Sequence, residues 1–247
     1  MIHQFILAYP RPGMTELEFQ RYWVHVHAVQ YASKIPQIRK YLVDTRIALP
    51  GESGDPLWCG VAEIWLKNEK EQLESLQSKE FLQGARLDEP NWAAFWRTVV
   101  LDTTAHMLLP GPSEVRDSGM VKLLVLSKRR EGLPLNDFRS YCLGRHAAKV
   151  LEIPGLCRYS QGHVRDSLYT IGEALLDCVE QLWFDDVEAA LIAQKTVQQK
   201  LVDADYRLFT EERYLHTMLV QEHWIIGPEP RPYEDQPIAS SLEGEGD

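Results

Sequence analysis

No stretch of this sequence approaches the roughly 18–20 consecutive apolar residues that a membrane-spanning helix requires. The opening residues, MIHQFILAYP, lack the basic region, apolar run and small-residue cleavage site of a secretory leader. Cysteine is scarce. Cys59, Cys142, Cys157 and Cys178 show no C-x-x-C spacing, so free thiols in a reducing cytoplasm are the expectation. Positive charge is in deficit, with 26 Lys and Arg against 36 Asp and Glu and a net charge of −10. That balance argues against nucleic acid and anionic membranes as partners. There is no G-x-G-x-x-G, no Walker loop and no G-x-S-x-G elbow, which disfavours nicotinamide dehydrogenases, nucleotide hydrolases and serine hydrolases. With no cofactor motif in sight, a cofactor-independent reaction is the simplest reading.

What remains is ordinary globular material, 247 residues that are 45% hydrophobic and 25% charged. Its organising stretch is Met14 to Tyr41. Phe19, Tyr22, Trp23, Val26 and Val29 fall at helical spacing on one face, and Thr15 with Glu18 forms a capping box at the start. His27 lies about 80° from Phe19 on such a helix, on the shoulder of the apolar stripe. His25 and His27 make an H-x-H pair, but on a helix the two diverge by about 200°, so no metal site is expected.

The stretch recurs. Phe19, Tyr22 and His27 match Phe138, Tyr141 and His146 at an offset of 119, and Ile35-Pro36, Tyr41 and Trp65 match Ile153-Pro154, Tyr159 and Trp183 at 118. Trp92-x-x-Phe95 pairs on this reading with Tyr206-x-x-Phe209, and His106 with His223. This is an internal duplication. Residues 1–109 read as one βαββαβ unit, 110–119 (PGPSEVRDSG) as a linker, 120–226 as a second unit, and 227–247 as a disordered acidic, Pro-rich tail. The fold class is therefore α+β, with two tandem ferredoxin-like units forming an intramolecular eight-stranded α+β barrel. A cavity is expected between the two sheets. The chain is then a monomer with an internal pseudo-dimer, or a homodimer of such monomers.

The pattern F-x-x-Y-W-x-x-x-H-A at Phe19–Ala28, the Ile-Pro-x-x-x-x-Tyr after it and D-E-x-N-W-x-x-F at Asp88–Phe95 together resemble the EthD family of dimeric α+β barrels. The resemblance implies small barrel proteins whose relatives in polyketide pathways look like cofactor-free decarboxylases, dehydratases or cyclases. The wider superfamily includes monooxygenases, isomerases and haem enzymes. It also implies that the histidine of the first helix is the favoured acid/base, here His27 and by repeat His146. In the second half Cys142 replaces the tryptophan and the Asp203–Phe209 segment is shortened, which puts a second working site in question.

From the residues themselves, a histidine titrating near neutrality suits enolisation, dehydration or decarboxylation beside a carbonyl, and equally suits a structural hydrogen bond. Asp102, Thr104 and His106 share one side of the fourth strand, so Asp102 and His106 join the catalytic candidates if that side faces the cavity. Tyr9, Tyr22, Trp23, Tyr41, Trp65, Trp92 and Phe95 are the expected walls for a small, flat hydrophobic or aromatic substrate. Three functions stay open. The first is a lyase, cyclase or isomerase on an aromatic or polyketide-like carbonyl compound. The second is a haem-binding protein, for which one histidine can serve as axial ligand, or a cofactor-free monooxygenase. The third is a non-catalytic binding protein.

Overall fold

The computed structural model describes residues 1–233 apart from Ser53, Asp117 and Ile171. Eight strands form a closed barrel: β1 (Ile2–Ala8), β2 (Lys40–Arg46), β3 (Gly60–Leu66), β4 (Val99–Leu109), β5 (Val121–Ser127), β6 (Arg158–Val164), β7 (Cys178–Phe184) and β8 (His216–Ile226). Their order is β1-β3-β2-β8-β5-β7-β6-β4, antiparallel at every junction. Each half supplies a four-stranded sheet, and the halves join at β2–β8 and β4–β6. The duplication builds the expected eight-stranded barrel within one chain. Among the described residues no helix is long and apolar enough to cross a membrane.

Strand alternation divides the side chains into an inner and an outer set. Phe5, Leu7, Val61, Leu101, Leu124, Leu126, Val164, Val179, Met218 and Val220 cluster inside the barrel. From the connection between β6 and β7, Leu168, Tyr169 and Leu176 pack against this inner cluster. The interior is thus filled, and the expected cavity between the sheets is not where the space lies. Eight strands enclose just enough room for their own side chains. Trp65, an expected cavity wall, points inward too, stacked on His3 at 4.2 Å with Trp224 at 5.8 Å.

The middle of the interior is charged. Lys122 on β5 is 0% exposed, and its Nζ lies 2.9 Å from Asp44 Oδ2 on β2 and from Glu222 Oε1 on β8, and also contacts Glu63 Oε1 on β3. The three carboxylates approach one another as metal ligands would, but the ammonium holds the place of the ion. Burial opposes charge on Lys122, and the carboxylates outweigh it, holding the lysine well above its ordinary pKa. Asp44 is pushed well up by burial, with Lys122 opposing and Glu63 reinforcing. These contacts cross from one half to the other, so barrel closure and charge satisfaction are one event.

The helices cover the outside. The tail's first residues pack there as well. Arg231 donates to the carbonyls of Ser33 (2.8 Å), Ile38 (2.7 Å) and Ile35, and Tyr233 accepts from Gln37. The rest of the expected disordered tail, 234–247, lies outside the described residues. Replacing Lys122 with Met strips the shared ammonium from two buried acids and a partly buried third. It is expected to cost about 3–5 kcal/mol of unfolding free energy by urea titration, whereas a loss under about 1 kcal/mol would mean that proton uptake, not the ammonium, neutralises the cluster.

Candidate active site

The first helix begins as expected. Thr15 N donates to Glu18 Oε2 (2.9 Å) and Glu18 N to Thr15 Oγ1 (3.3 Å), starting the α-helix Glu16–Tyr22. From Trp23 to Tyr31 the backbone continues as a π-helix. Its i→i+5 bonding takes more residues per turn, so the buried stripe advances by four and five residues. Phe19, Trp23, Val24, His27 and Ala28 face inward, and Val29, expected on that face, is 47% exposed. The wider turn carries His27 off the shoulder and into the packed face, where it is 6% exposed.

There His27 Nδ1 lies 2.9 Å from Asp88 Oδ2. The other carboxylate oxygen of Asp88 accepts from the Tyr22 hydroxyl (2.8 Å) and from Asn91 Nδ2 (3.1 Å). Burial and this hydrogen bond push Tyr22 up to about 12, so it stays a donor. Tyr22 therefore serves as a strut for Asp88, not as a wall. Burial lowers the pKa of His27, with Asp88 opposing, so the ring is neutral near pH 7. A neutral ring that donates from Nδ1 to a carboxylate carries its lone pair on Nε2, which has no partner among the described residues.

His27 lines a cavity of about 540 Å³ between the outer face of the first-half sheet and the helices. Trp23, Tyr41, Trp92 and Phe95 line it too, as does Asp102. The Trp92 ring lies 4.6 Å from His27 and 4.7 Å from Trp23. Phe95 stands at the mouth, largely exposed. Asp102 points to this side of β4, where its two oxygens accept from Gln4 Nε2 and Gln72 Nε2, each at 2.8 Å. Tyr9 and His106 also lie elsewhere, as Trp65 and Tyr22 do. Tyr9 is capped by the Arg97 guanidinium at 3.4 Å, away from the cavity. His106 shares the outer face of β4 but lines a separate space over the β4–β6 seam, 4.9 Å from His163.

The second half repeats the skeleton and fills it in. His146 Nδ1 lies 2.8 Å from Asp205 Oδ2, and Tyr141 donates to Asp205 Oδ1 at 2.8 Å. The structural counterpart of Trp92 is Phe209 and not Tyr206, because the residues that follow them, Ala93 and Thr210, make matching bridges to Pro10 and Arg129; the pairing expected from the sequence is three residues out of register. Where β3 carries Ala62, β7 carries Glu180, and where β2 carries Val43, β6 carries Gln161. Glu180 Oε1 is 3.3 Å from His146 Nε2, a charge contact, and Glu180 also takes bonds from Tyr159 and Tyr206. Burial disfavours a charged His146, but Glu180 and Asp205 together outweigh it and hold its pKa above the ordinary value. His146 is 0% exposed and lies between two carboxylates, both of which favour its charged form. Sequence reasoning passed over Asp88, Asp205 and Glu180; the signal for the first two was D-x-x-x-[WF] recurring at an offset of 117.

Residues 11–95 match the model of the EthD domain. An anthrone oxidase-like protein shares the fold over 91% of this chain and 92% of its own, at 11% identity and a TM-score of 0.61. A candidate monooxygenase from Fusobacterium nucleatum aligns over 95% and 97%, at 5% identity and a TM-score of 0.55. Another, from Lactobacillus acidophilus, aligns over 90% and 93%, at 11% identity and a TM-score of 0.50. No curated protein matches. At these identities the likeness establishes the fold.

The two histidines should titrate apart. His146 has a raised folded pKa, so its contribution to stability is fully present below its ordinary pKa and disappears as pH rises through the folded value. A His146→Gln variant is expected to be destabilised more at about pH 6 than at about pH 9 in urea unfolding. A difference independent of pH would show that His146 is neutral throughout.

Proposed function

We propose, for a chain whose residues 11–95 match the EthD domain, that the first half carries one acid–base site, centred on His27 and serving a flat hydrophobic carbonyl compound. The observation that carries the reading is the dyad: a buried imidazole, oriented through Nδ1 by Asp88, with a free Nε2 on an apolar, aromatic-walled cavity. Nε2 removes a proton from carbon beside the substrate carbonyl. Asp88 then stabilises the imidazolium, and the proton returns in the second half of the reaction. Loss of a leaving group, ring closure or relocation of the double bond follows from the enolate, so the reaction class is lyase, cyclase or isomerase. Trp23, Trp92 and Tyr41 supply flat contact surface that suits an aromatic or polyketide-like skeleton.

Haem fits this donor set poorly. Its propionates need cations, and the cavity lining offers one guanidinium, Arg86, already paired with Glu89 at 2.6 Å. His146 is assigned a structural role, because its charge is locked between two carboxylates.

The test uses aromatic and polyketide-like ketones in D₂O, followed by NMR for exchange of the proton next to the carbonyl, with and without oxygen. His27→Gln should slow exchange about 10²–10⁴-fold while the thermal melt is retained, and the acid limb of the wild-type pH profile should vanish. His146→Gln, where it folds, should leave the rate within about a factor of ten. Full activity in His27→Gln would remove the proposal, tight binding without exchange would favour a binding protein, and product formed only with oxygen would favour a monooxygenase.

A further inference from the structure

The duplication supplies an internal control for every polar group of the cavity, because the second half shows which ones the fold can do without. Gln4 faces Asp102 across the β1–β4 ladder, and at the matching rungs of the β5–β8 ladder Leu123 faces Leu219. Gln72 stands four residues after the helix cap Asn68, and Ala190 stands four residues after the matching cap Asp186. Leu123, Leu219 and Ala190 all belong to the second half's apolar core. Three polar side chains in one unit thus stand where the other packs Leu, Leu and Ala. The unit folds without them, so their joint presence in the first half calls for another reason.

They also act together. Gln4 and Gln72 each donate to one oxygen of Asp102, fixing the plane of the carboxylate, and all three line the cavity that holds His27. Each carboxylate oxygen accepts about two hydrogen bonds, and only one is used on each. The remaining lone pairs belong to an acceptor pole within a cavity whose walls are otherwise chiefly apolar.

We infer that Asp102, positioned by Gln4 and Gln72, recognises a hydroxyl group of the ligand, a phenol or enol carried apart from the carbonyl on which His27 acts. The ligand class is then a hydroxylated flat ketone, not a plain hydrocarbon-like one. The inference rests on the cavity being the substrate site, and it assigns Asp102 to recognition instead of proton transfer. A hydroxyl suits the site better than a cation, since two amide N–H groups already compensate part of the carboxylate charge.

The experiment compares paired polycyclic aromatic ketones, each as the free phenol and as its methyl ether, by quenching of tryptophan fluorescence. Wild-type protein should bind the phenol about 10–100-fold more tightly than the ether. Asp102→Leu, which installs the residue of the second half, should bind both alike and keep its fold. Gln4→Leu with Gln72→Ala should weaken the preference while Asp102 remains. His27→Gln should keep the full preference while losing proton exchange, so the two proposals fail separately. Equal binding of phenol and ether by the wild type would overturn the inference. A preference surviving in Asp102→Leu would do the same, as would tighter binding of an amine analogue than of the phenol.

Discussion

The carboxylate of Asp88 joins the first helix to the segment that closes the first βαββαβ unit, and the site depends on it. One oxygen takes the Tyr22 hydroxyl and Asn91, the other takes His27 Nδ1. A single buried acid thereby sets the tautomer of the histidine, the seat of the helix and the position of Trp92. Asp205 does the same in the second half for His146 and Tyr141. The clamp is a property of the unit; what differs between the copies is what surrounds it. In the first copy Ala62 leaves room and His27 is neutral. In the second, Glu180 occupies that room and turns the histidine into one member of an ion pair. One residue's volume and charge separate a site from a core.

Barrel closure forces the site outward. The inward faces of both sheets meet across a filled interior, with Lys122 compensating acids from three other strands. Among the described residues, the cavity that a first-helix histidine lines lies outside the barrel, between sheet and helices, in the half whose helix-facing residues include Ala62. The π-helical turn serves that geometry. It admits Trp23, His27 and Ala28 to one face, which an α-helical path would spread around the surface.

The duplication, the capping box, the βαββαβ order of elements and the eight-stranded barrel could all be read in the residues, because repeated spacing and apolar runs mark the units. The faces could not. Trp65 and Asp102 are each one step of alternation from the opposite side, and sequence alone leaves the register free. The π-turn has no residue signature, so a 100° wheel placed His27 on the shoulder and Val29 inside. Asp88 stood within a recognised motif, yet its role emerged only when Tyr22 and His27 converged on it from another element. The separation of His106 from Asp102 along one strand face follows from the seam with β6, which belongs to the other half. The second half's loss of a cavity was foreshadowed by Cys142, but the residue that decides it, Glu180, looked like an ordinary strand acid.

The central claim is that an open space beside a neutral His27 makes the first half the working one. Ala62→Glu tests it most directly, since it copies into the first half the residue that closes the second. The measurement is the NMR titration of His27 in this variant, alongside binding of an aromatic ketone by tryptophan fluorescence. The account predicts a folded protein in which the His27 pKa rises above its ordinary value and ketone binding is lost. Unchanged binding, with His27 still titrating below its ordinary value, would contradict it.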